Sequence, residues 1–242
     1  MEIKVSGDTH AGLVRTHNED AFGIYPDLSL YIIADGLGGH AGGEVASRLA
    51  VECVRGNIIS DYNILREKRS NLIIAIKLAN KKIIQEASKD YTLRDMGTTI
   101  VAVKAENDTA LVAHVGDSRA YLIRDDGITQ ITKDHTVVED YIKAGLLSKE
   151  EAFHSPYKSA LSRALGIAGD VEVDISDVKF RTGDTLLLCT DGLTNMMSDS
   201  DILNTVKEFR PSPEGITKGL ISLAIKNGGI DNITVITICV GE

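Results

Sequence analysis

The chain has 242 residues, 43% of them hydrophobic and 25% charged, and a formal net charge of -9. That length supports a sizeable core in one large domain or two small ones, and the composition is that of a globular protein. An acidic chain with no basic run argues against nucleic acid as a partner. No apolar run nears the roughly eighteen residues of a membrane span, and the start lacks a signal-peptide pattern, so no membrane and a cytoplasmic setting are expected.

Residues 2–8 alternate, with Ile3 and Val5 set against Glu2, Lys4 and Ser6, which predicts a strand. A polar stretch, Arg15-Thr16-His17-Asn18-Glu19-Asp20, follows with two adjacent acids. The apolar run Leu30–Ala34 then reads as a buried strand that stops at Asp35 and a glycine cluster, Gly36-Leu37-Gly38-Gly39-His40. From Glu44, Ala46, Leu49, Ala50, Cys53 and Val54 recur at the spacing of one helix face. A second helix is predicted over about residues 66–88, with Leu72, Ile76, Ala79, Ile83 and Ala87 on one face.

Gly97-Thr98-Thr99 opens a predicted strand at Ile100–Lys104, and Leu111–Val115 forms another that ends at Gly116-Asp117-Ser118-Arg119. Strands are expected at Ala120–Ile123 and, after the turn signal Asp126-Gly127, at Ile128–Ile131. The next stretch is more polar and helical: short helices are predicted at Val137–Ala144 and Ser148–Phe153, the latter with a capping box from Ser148 to Glu151. Val171–Phe180 and Thr185–Cys189 read as strands, the second running into Thr190-Asp191-Gly192. Helices are expected near Asp199–Phe209 and at Pro213–Asn227 with Ser212 as N-cap, and a final strand at Ile233–Val240 after Asp231-Asn232. No repeat or linker interrupts the order, so one domain over residues 1–242 is expected.

Cys53, Cys189 and Cys239 have apolar neighbours and no metal-type spacing, and read as inert buried thiols. A cysteine-nucleophile phosphatase would need an arginine six residues on; Ile59 and Asn195 stand there instead, and the chain ends too soon after Cys239. His10, His17, His114 and His135 read as structural or solvent-exposed.

Asp35, Asp117, Asp191 and Asp231 all fall at ends of apolar strands, and each alone would be a turn residue. If those ends meet, with Glu19 and Asp20 beside them, the repulsion calls for cations: carboxylates about 4 Å apart repel by several kcal/mol at an effective dielectric near 20. All-oxygen ligation points to magnesium, manganese or calcium, not zinc.

In order along the chain, Arg15…Asn18-Glu19-Asp20, Asp35-Gly36-Leu37-Gly38-Gly39-His40, Gly97-Thr98-Thr99, Gly116-Asp117-Ser118-Arg119, Asp191-Gly192 and Asp231-Asn232 resemble the motif series of the metal-dependent, type 2C protein serine/threonine phosphatases in their compact bacterial form. The resemblance implies an α+β fold, a four-layer α-β-β-α sandwich of two antiparallel sheets flanked by helices, with the metal site at one end. It implies two to three Mn2+ or Mg2+ ions. Asp35 would bridge two of them, with the carbonyl of Gly36 on one and Asp191 and Asp231 on the other. Glu19 and Asp20 would ligate directly or hold metal-bound water, Asp117 with Asp191 would form a third site, and Arg15 would grip the substrate phosphate. His40 corresponds loosely to a general-acid histidine.

The reaction implied is hydrolysis of phosphoserine and phosphothreonine by a hydroxide shared between metals about 3.5–4 Å apart, attacking in line. Partners implied are phosphorylated proteins, substrates of a Ser/Thr kinase and the kinase itself, acted on by a monomer in cytoplasmic signalling. The resemblance also makes residues 143–165 a flap, where Ser162 and His154-Ser155-Pro156 depart from the family pattern. The alternative from another class is a catalytically weak phosphoprotein-binding module of the same fold.

Overall fold

The computed structural model describes residues 2–38, 41–60, 68–153, 155–167 and 169–241. Its strands β1 (Ile3–His10), β2 (Ala21–Tyr25), β3 (Leu30–Ala34), β4 (Gly36–Leu37), β5 (Gly97–Thr98), β6 (Ile100–Glu106), β7 (Thr109–Val115), β8 (Arg119–Arg124), β9 (Gly127–Gln130), β10 (Asp174–Lys179), β11 (Thr185–Cys189) and β12 (Ile233–Val240) alternate with helices α1 (Ala41–Ser60), α2 (Lys68–Ala87), α3 (Val137–Lys143), α4 (Lys149–Phe153), α5 (Asp191–Thr194), α6 (Asp199–Phe209) and α7 (Pro213–Lys226). One sheet runs β1-β12-β11-β8-β9 and the other β10-β7-β6-β3-β2, with a two-residue ribbon β4-β5. All pairings are antiparallel.

The side-chain period of two splits each central strand between two cores. Tyr31 and Ile33 of β3 meet Leu186 and Leu188 of β11 and Ile236 and Ile238 of β12 between the sheets. Leu30, Ile32 and Ala34 face the other way, onto Ala46, Ala50 and Val54 of α1 and Leu72, Ile76 and Ile83 of α2. On the far side Leu187, Cys189, Ile233 and Val235 cover Ile202 and Val206 of α6 and Ile216 and Leu220 of α7. Three stacked cores make four layers, the α-β-β-α sandwich expected. Burial on both faces explains why β3, β11 and β12 are nearly continuous apolar runs, broken only by Thr185, Thr234 and Thr237, rather than alternating ones.

Local chemistry sets the ends. Ser148 and Glu151 exchange hydrogen bonds around the start of α4, the Glu151 carboxylate accepting from the Ser148 N–H at 2.8 Å. Ser212 accepts from the Gly215 N–H at 3.0 Å and starts α7. Each such cap stabilises its helix by about 1 kcal/mol. β2, β4, β5 and α5 were not expected from the sequence, and β10 starts at Asp174 rather than Val171.

Candidate metal centre

At one end of the sandwich, loops from both sheets meet. β3 ends at Asp35, whose N–H donates to Thr99 Oγ1 at 3.0 Å and whose carbonyl accepts from the Thr99 N–H at 2.9 Å and Thr98 Oγ1 at 2.8 Å. Thr99 Oγ1 also bonds Ser118 Oγ at 2.7 Å, so one hydroxyl joins the Asp35 turn to the Asp117 turn. Gly36 admits no side chain: a Cβ there would lie 2.3 Å from the Gly43 carbonyl oxygen at the start of α1 and 2.5 Å from that of Glu19. This close approach draws the first turn of α1 and the Glu19-Asp20 segment onto the Asp35 loop. Ser47 of α1 adds a hydrogen bond to the Glu19 carbonyl at 2.6 Å.

From the second sheet, β11 delivers Asp191 at the start of α5, and Asp231 precedes β12. Asn195 Nδ2 donates to Asp191 Oδ2 at 3.0 Å. Asn232 is buried and fastens the remaining loops: its Oδ1 accepts from the Glu19 N–H at 2.8 Å, and its Nδ2 donates to the carbonyls of Ala11 at 2.9 Å and His17 at 3.0 Å. Arg15 Nη2 donates to Asp231 Oδ2 at 2.8 Å.

The result is a cleft of about 370 Å³ lined by Arg15, Glu19, Asp35, Gly36, Asp117, Asp191 and Asp231. Thr16, His17, Leu37 and Asn232 join the lining, as do Ser159 and Leu161 from the stretch between α4 and β10. Asp20 lies buried beneath it, its Oδ2 accepting from Thr234 Oγ1 at 2.6 Å and Thr190 Oγ1 at 2.9 Å. Every expected site residue among those described is thus at this end of the sandwich; His40 lies outside the described residues.

The electrostatics are those of crowded acids. Burial and then the charges of Asp20, Asp191, Asp117 and Asp231 raise the Asp35 carboxyl well above the ordinary range. Burial pushes Asp20 up to about 7 despite its two hydroxyl donors. Asp117 is likewise pushed to about 7 by burial and by Asp191. Asp191 rises through burial and Asp231. Burial and like charges both disfavour the charged form of a carboxyl. Asp20 Oδ1 is more direct: it is buried with no hydrogen-bond partner among the described residues. An orphaned carboxylate oxygen beneath a ring of carboxylates fits a hard divalent cation or its water, since such ions take oxygen ligands.

The protein phosphatase 2C family matches residues 7–217 of this chain. The chain belongs to that family. It is 40% identical to the serine/threonine phosphatase stp of Listeria innocua over 235 residues, which is 95% of this chain and 93% of that one. The S. agalactiae serine/threonine phosphatase superposes with a TM-score of 0.92 at 35% identity, covering 99% of this chain and 100% of the other. The catalytic domain of the serine/threonine protein phosphatase PstP in complex with two manganese ions superposes at 0.87 and 34% identity, over 99% of both chains.

Within this type 2C chain, two sets of residues escaped the sequence reading. Thr190 and Thr234, which hold Asp20, look like ordinary strand threonines. The other set lies behind the Asp117 turn, where His114 and His135 stack with centroids 4.7 Å apart beside Asp174. They are buried, as a structural reading expects, whereas His17 is exposed at the cleft. Burial also pushes the Cys189 thiol up to about 12, consistent with an inert cysteine.

Proposed function

We infer that the chain is a metal-dependent protein serine/threonine phosphatase that hydrolyses phosphoserine and phosphothreonine. The observation that carries this reading is the ring of aspartates around an open cleft, Asp35, Asp117 and Asp191 among them with raised pKa values, with Asp20 Oδ1 left without a partner among the described residues and an arginine at the rim. When bound, two to three Mn2+ or Mg2+ ions supply an activated water nucleophile and neutralise charge on the phosphoryl group. Asp35 would bridge two ions with the Gly36 carbonyl beside it, Asp191 and Asp231 would complete that pair, and Asp117 would hold an outer ion with Asp191. Asp20 offers only Oδ1, because Oδ2 is taken by two threonines. Glu19, in the cleft lining, would serve in the same role.

Arg15 is the phosphate grip. Its side chain is 57% exposed and bonded only to Asp231 among the described residues, so it is free to swing onto a bidentate oxyanion. His40 remains our sequence-based choice for protonating the leaving alkoxide. Residues 143–165 act as the flap; Ser159 and Leu161, at the cleft wall, are its contribution to substrate choice. We read residues 1–242 as one domain and the protein as a monomer working on phosphoproteins in cytoplasmic signalling, opposite a Ser/Thr kinase. Three free thiols and the lack, among the described residues, of a helix long and apolar enough to cross a membrane support that setting. A binding module without activity is disfavoured because no aspartate of the motif series is missing.

The decisive experiment is turnover of a phosphothreonine peptide with manganese, with magnesium and with EDTA. Hydrolysis in either metal and none in EDTA is expected. A folded, metal-binding protein that turns over neither phosphothreonine nor phosphoserine peptide would return the chain to the binding-module class.

A further inference from the structure

Asp117 sits in the short connection between β7 and β8. Gly116 before it has a φ of +107°, and a Cβ there would meet Thr99 at 2.6 Å. His135, from the segment between β9 and α3, grips this glycine twice. The His135 N–H donates to the Gly116 carbonyl at 3.0 Å, and the Gly116 N–H donates to His135 Nδ1 at 3.1 Å. The adjoining Asp134 holds the other side of the turn by accepting Nε of Arg119 at 3.0 Å and its Nη2 at 2.7 Å.

Behind the ring is a second set of contacts. His135 is fully buried, its Nε2 is 3.4 Å from Asp174 Oδ2, and Arg163 Nη1 fixes Asp174 Oδ1 at 2.8 Å. Its carbonyl accepts from the Ser162 N–H at 2.8 Å.

His114, His135 and Asp174 have the donor types of a transition-metal site. Two features oppose that use. The imidazoles lie only 19° from parallel and are stacked, so their lone pairs, which lie in the ring planes, do not converge on one ion. The Gly116 N–H also needs a lone pair at His135 Nδ1. In a neutral imidazole that leaves the proton on Nε2, the nitrogen that faces Asp174. Burial, with His114 and Arg163 nearby, keeps the ring neutral by holding its pKa near 4.

We propose that His135 is a positioning residue for Asp117: its Nδ1 lone pair fixes the Val115-Gly116 peptide, its backbone N–H fixes the Gly116-Asp117 peptide, and together they hold the Asp117 carboxylate in the cleft, while Asp174, itself fixed by Arg163, faces Nε2 from behind. The effect on metal binding rests on the reading of Asp117 as ligand of the outer ion. The hydrogen bond itself does not.

His135→Phe keeps a stacked ring and removes the acceptor, and His135→Asn restores an acceptor, Oδ1, near the position of Nδ1. A buried N–H left without a partner is destabilised enough to shift a local equilibrium roughly tenfold. In metal-free protein, exchange of the Gly116 amide should therefore speed up about tenfold in His135→Phe and return to within about threefold of wild type in His135→Asn. By calorimetry with Mn2+, the weakest binding step should weaken about tenfold in His135→Phe, recover in His135→Asn, and leave the tighter steps unmoved. A merely structural histidine would lower the melting temperature and move none of these.

Asp117→Ala, run in parallel, should abolish the weakest step. If it does not, the outer-ion reading falls, while Gly116 exchange still decides the His135 contact. Wild-type protein alone gives an independent check through 15N shifts, which should show His135 protonated at Nε2. Protonation at Nδ1, an unchanged Gly116 amide in His135→Phe, failure of His135→Asn to rescue, or stoichiometric Zn2+ binding lost with His135 would each overturn the proposal.

Discussion

The antiparallel pair β8–β11 ends in two different kinds of acid. At one end, β8 finishes at Arg124 and β11 begins just after Asp184. Asp184 is 2% exposed, yet it accepts Nε of Arg124 at 2.9 Å, Nη2 at 2.6 Å and the Arg181 N–H at 2.7 Å. At the other end the same strands meet Asp117 and Asp191, joined by Asp20, Asp35 and Asp231. Among the described residues the one ion pair to these five aspartates is Arg15–Asp231. The first end is complete: a buried charge with its counter-ion and its hydrogen bonds. The second is incomplete as protein alone, and Asp20, Asp35, Asp117 and Asp191 answer by shifting upward. Within one fold, a buried acid is neutralised at one end by an arginine, while at the other four of five aspartates have no ion pair among the described residues, as the proposed metal site requires.

Asp35→Asn attacks the incomplete end and should have the largest effect. If Asp35 bridges two ions as proposed, its loss removes several kcal/mol of transition-state stabilisation, so kcat/KM on a phosphothreonine peptide should fall about a thousandfold or more. Manganese at a hundredfold excess over Kd should raise the wild-type Tm by roughly 5–10 °C, and that response should shrink by more than half in the variant. Without metal the variant should melt no lower than wild type, because it has one repelling charge fewer. A full manganese response from Asp35→Asn would remove Asp35 from the bridge.

Arg124→Met attacks the complete end. Leaving Asp184 buried without its cation should cost about 3–5 kcal/mol, seen as a Tm lower by roughly 10 °C. Manganese affinity and kcat/KM at 20 °C should stay at wild-type values. A changed manganese isotherm would show that the two ends are coupled through β8 and β11, contrary to the contrast drawn above.

Arg15→Ala should act mainly on KM. One charge-assisted contact contributes about 1.5–3 kcal/mol, or roughly 10- to 150-fold in kcat/KM, and the exposure of this side chain places it toward the lower figure. Unchanged kcat/KM would confine Arg15 to its bond with Asp231.

The smallest effect is the pH dependence of the metal-free protein. Asp20 and Asp117 hold protons up to about 7 when folded, but titrate near 4 when unfolded. Between those values the folded state binds more protons, so metal-free stability should fall as pH rises from about 4 to 7, by up to about 1.4 kcal/mol per pH unit for each proton. Saturating manganese should flatten this slope, and Asp117→Asn should reduce it without metal. Urea titrations from pH 4.5 to 7.5 measure it; stability that climbs through the window would contradict the raised carboxyls.

Much of this molecule is legible in the chain because its signals are local. β3, β11 and β12 match their predicted bounds residue for residue, since strands buried on both faces are predominantly apolar, with Thr185, Thr234 and Thr237 the buried exceptions. Asp35, Asp117, Asp191 and Asp231 stand out by recurrence, since any one of them alone at the end of an apolar run would be a turn residue. Arg15, Glu19 and Asp20 gain meaning only from the ordered motif series, because a polar loop has no period to read.

Other features exist only through contacts distant in sequence. Ala21–Tyr25, with a glycine at its centre, becomes β2 by pairing with β3 from Tyr25–Leu30 to Ala21–Ala34. Asp191–Thr194 reads as a turn and becomes α5 where β11 hands the chain to the site. Asp20 is buried because Thr190 and Thr234, 170 and 214 residues away, supply its donors. His135 lies under Asp117 because β8 and β9 fold back and return the chain to Gly116. Periodicity records which face of an element is buried; it carries no information on which ends meet. The sequence by itself therefore determined the strands, the helices and the acids that end them, and only the tertiary structure decided which of those acids would be left without a counter-ion.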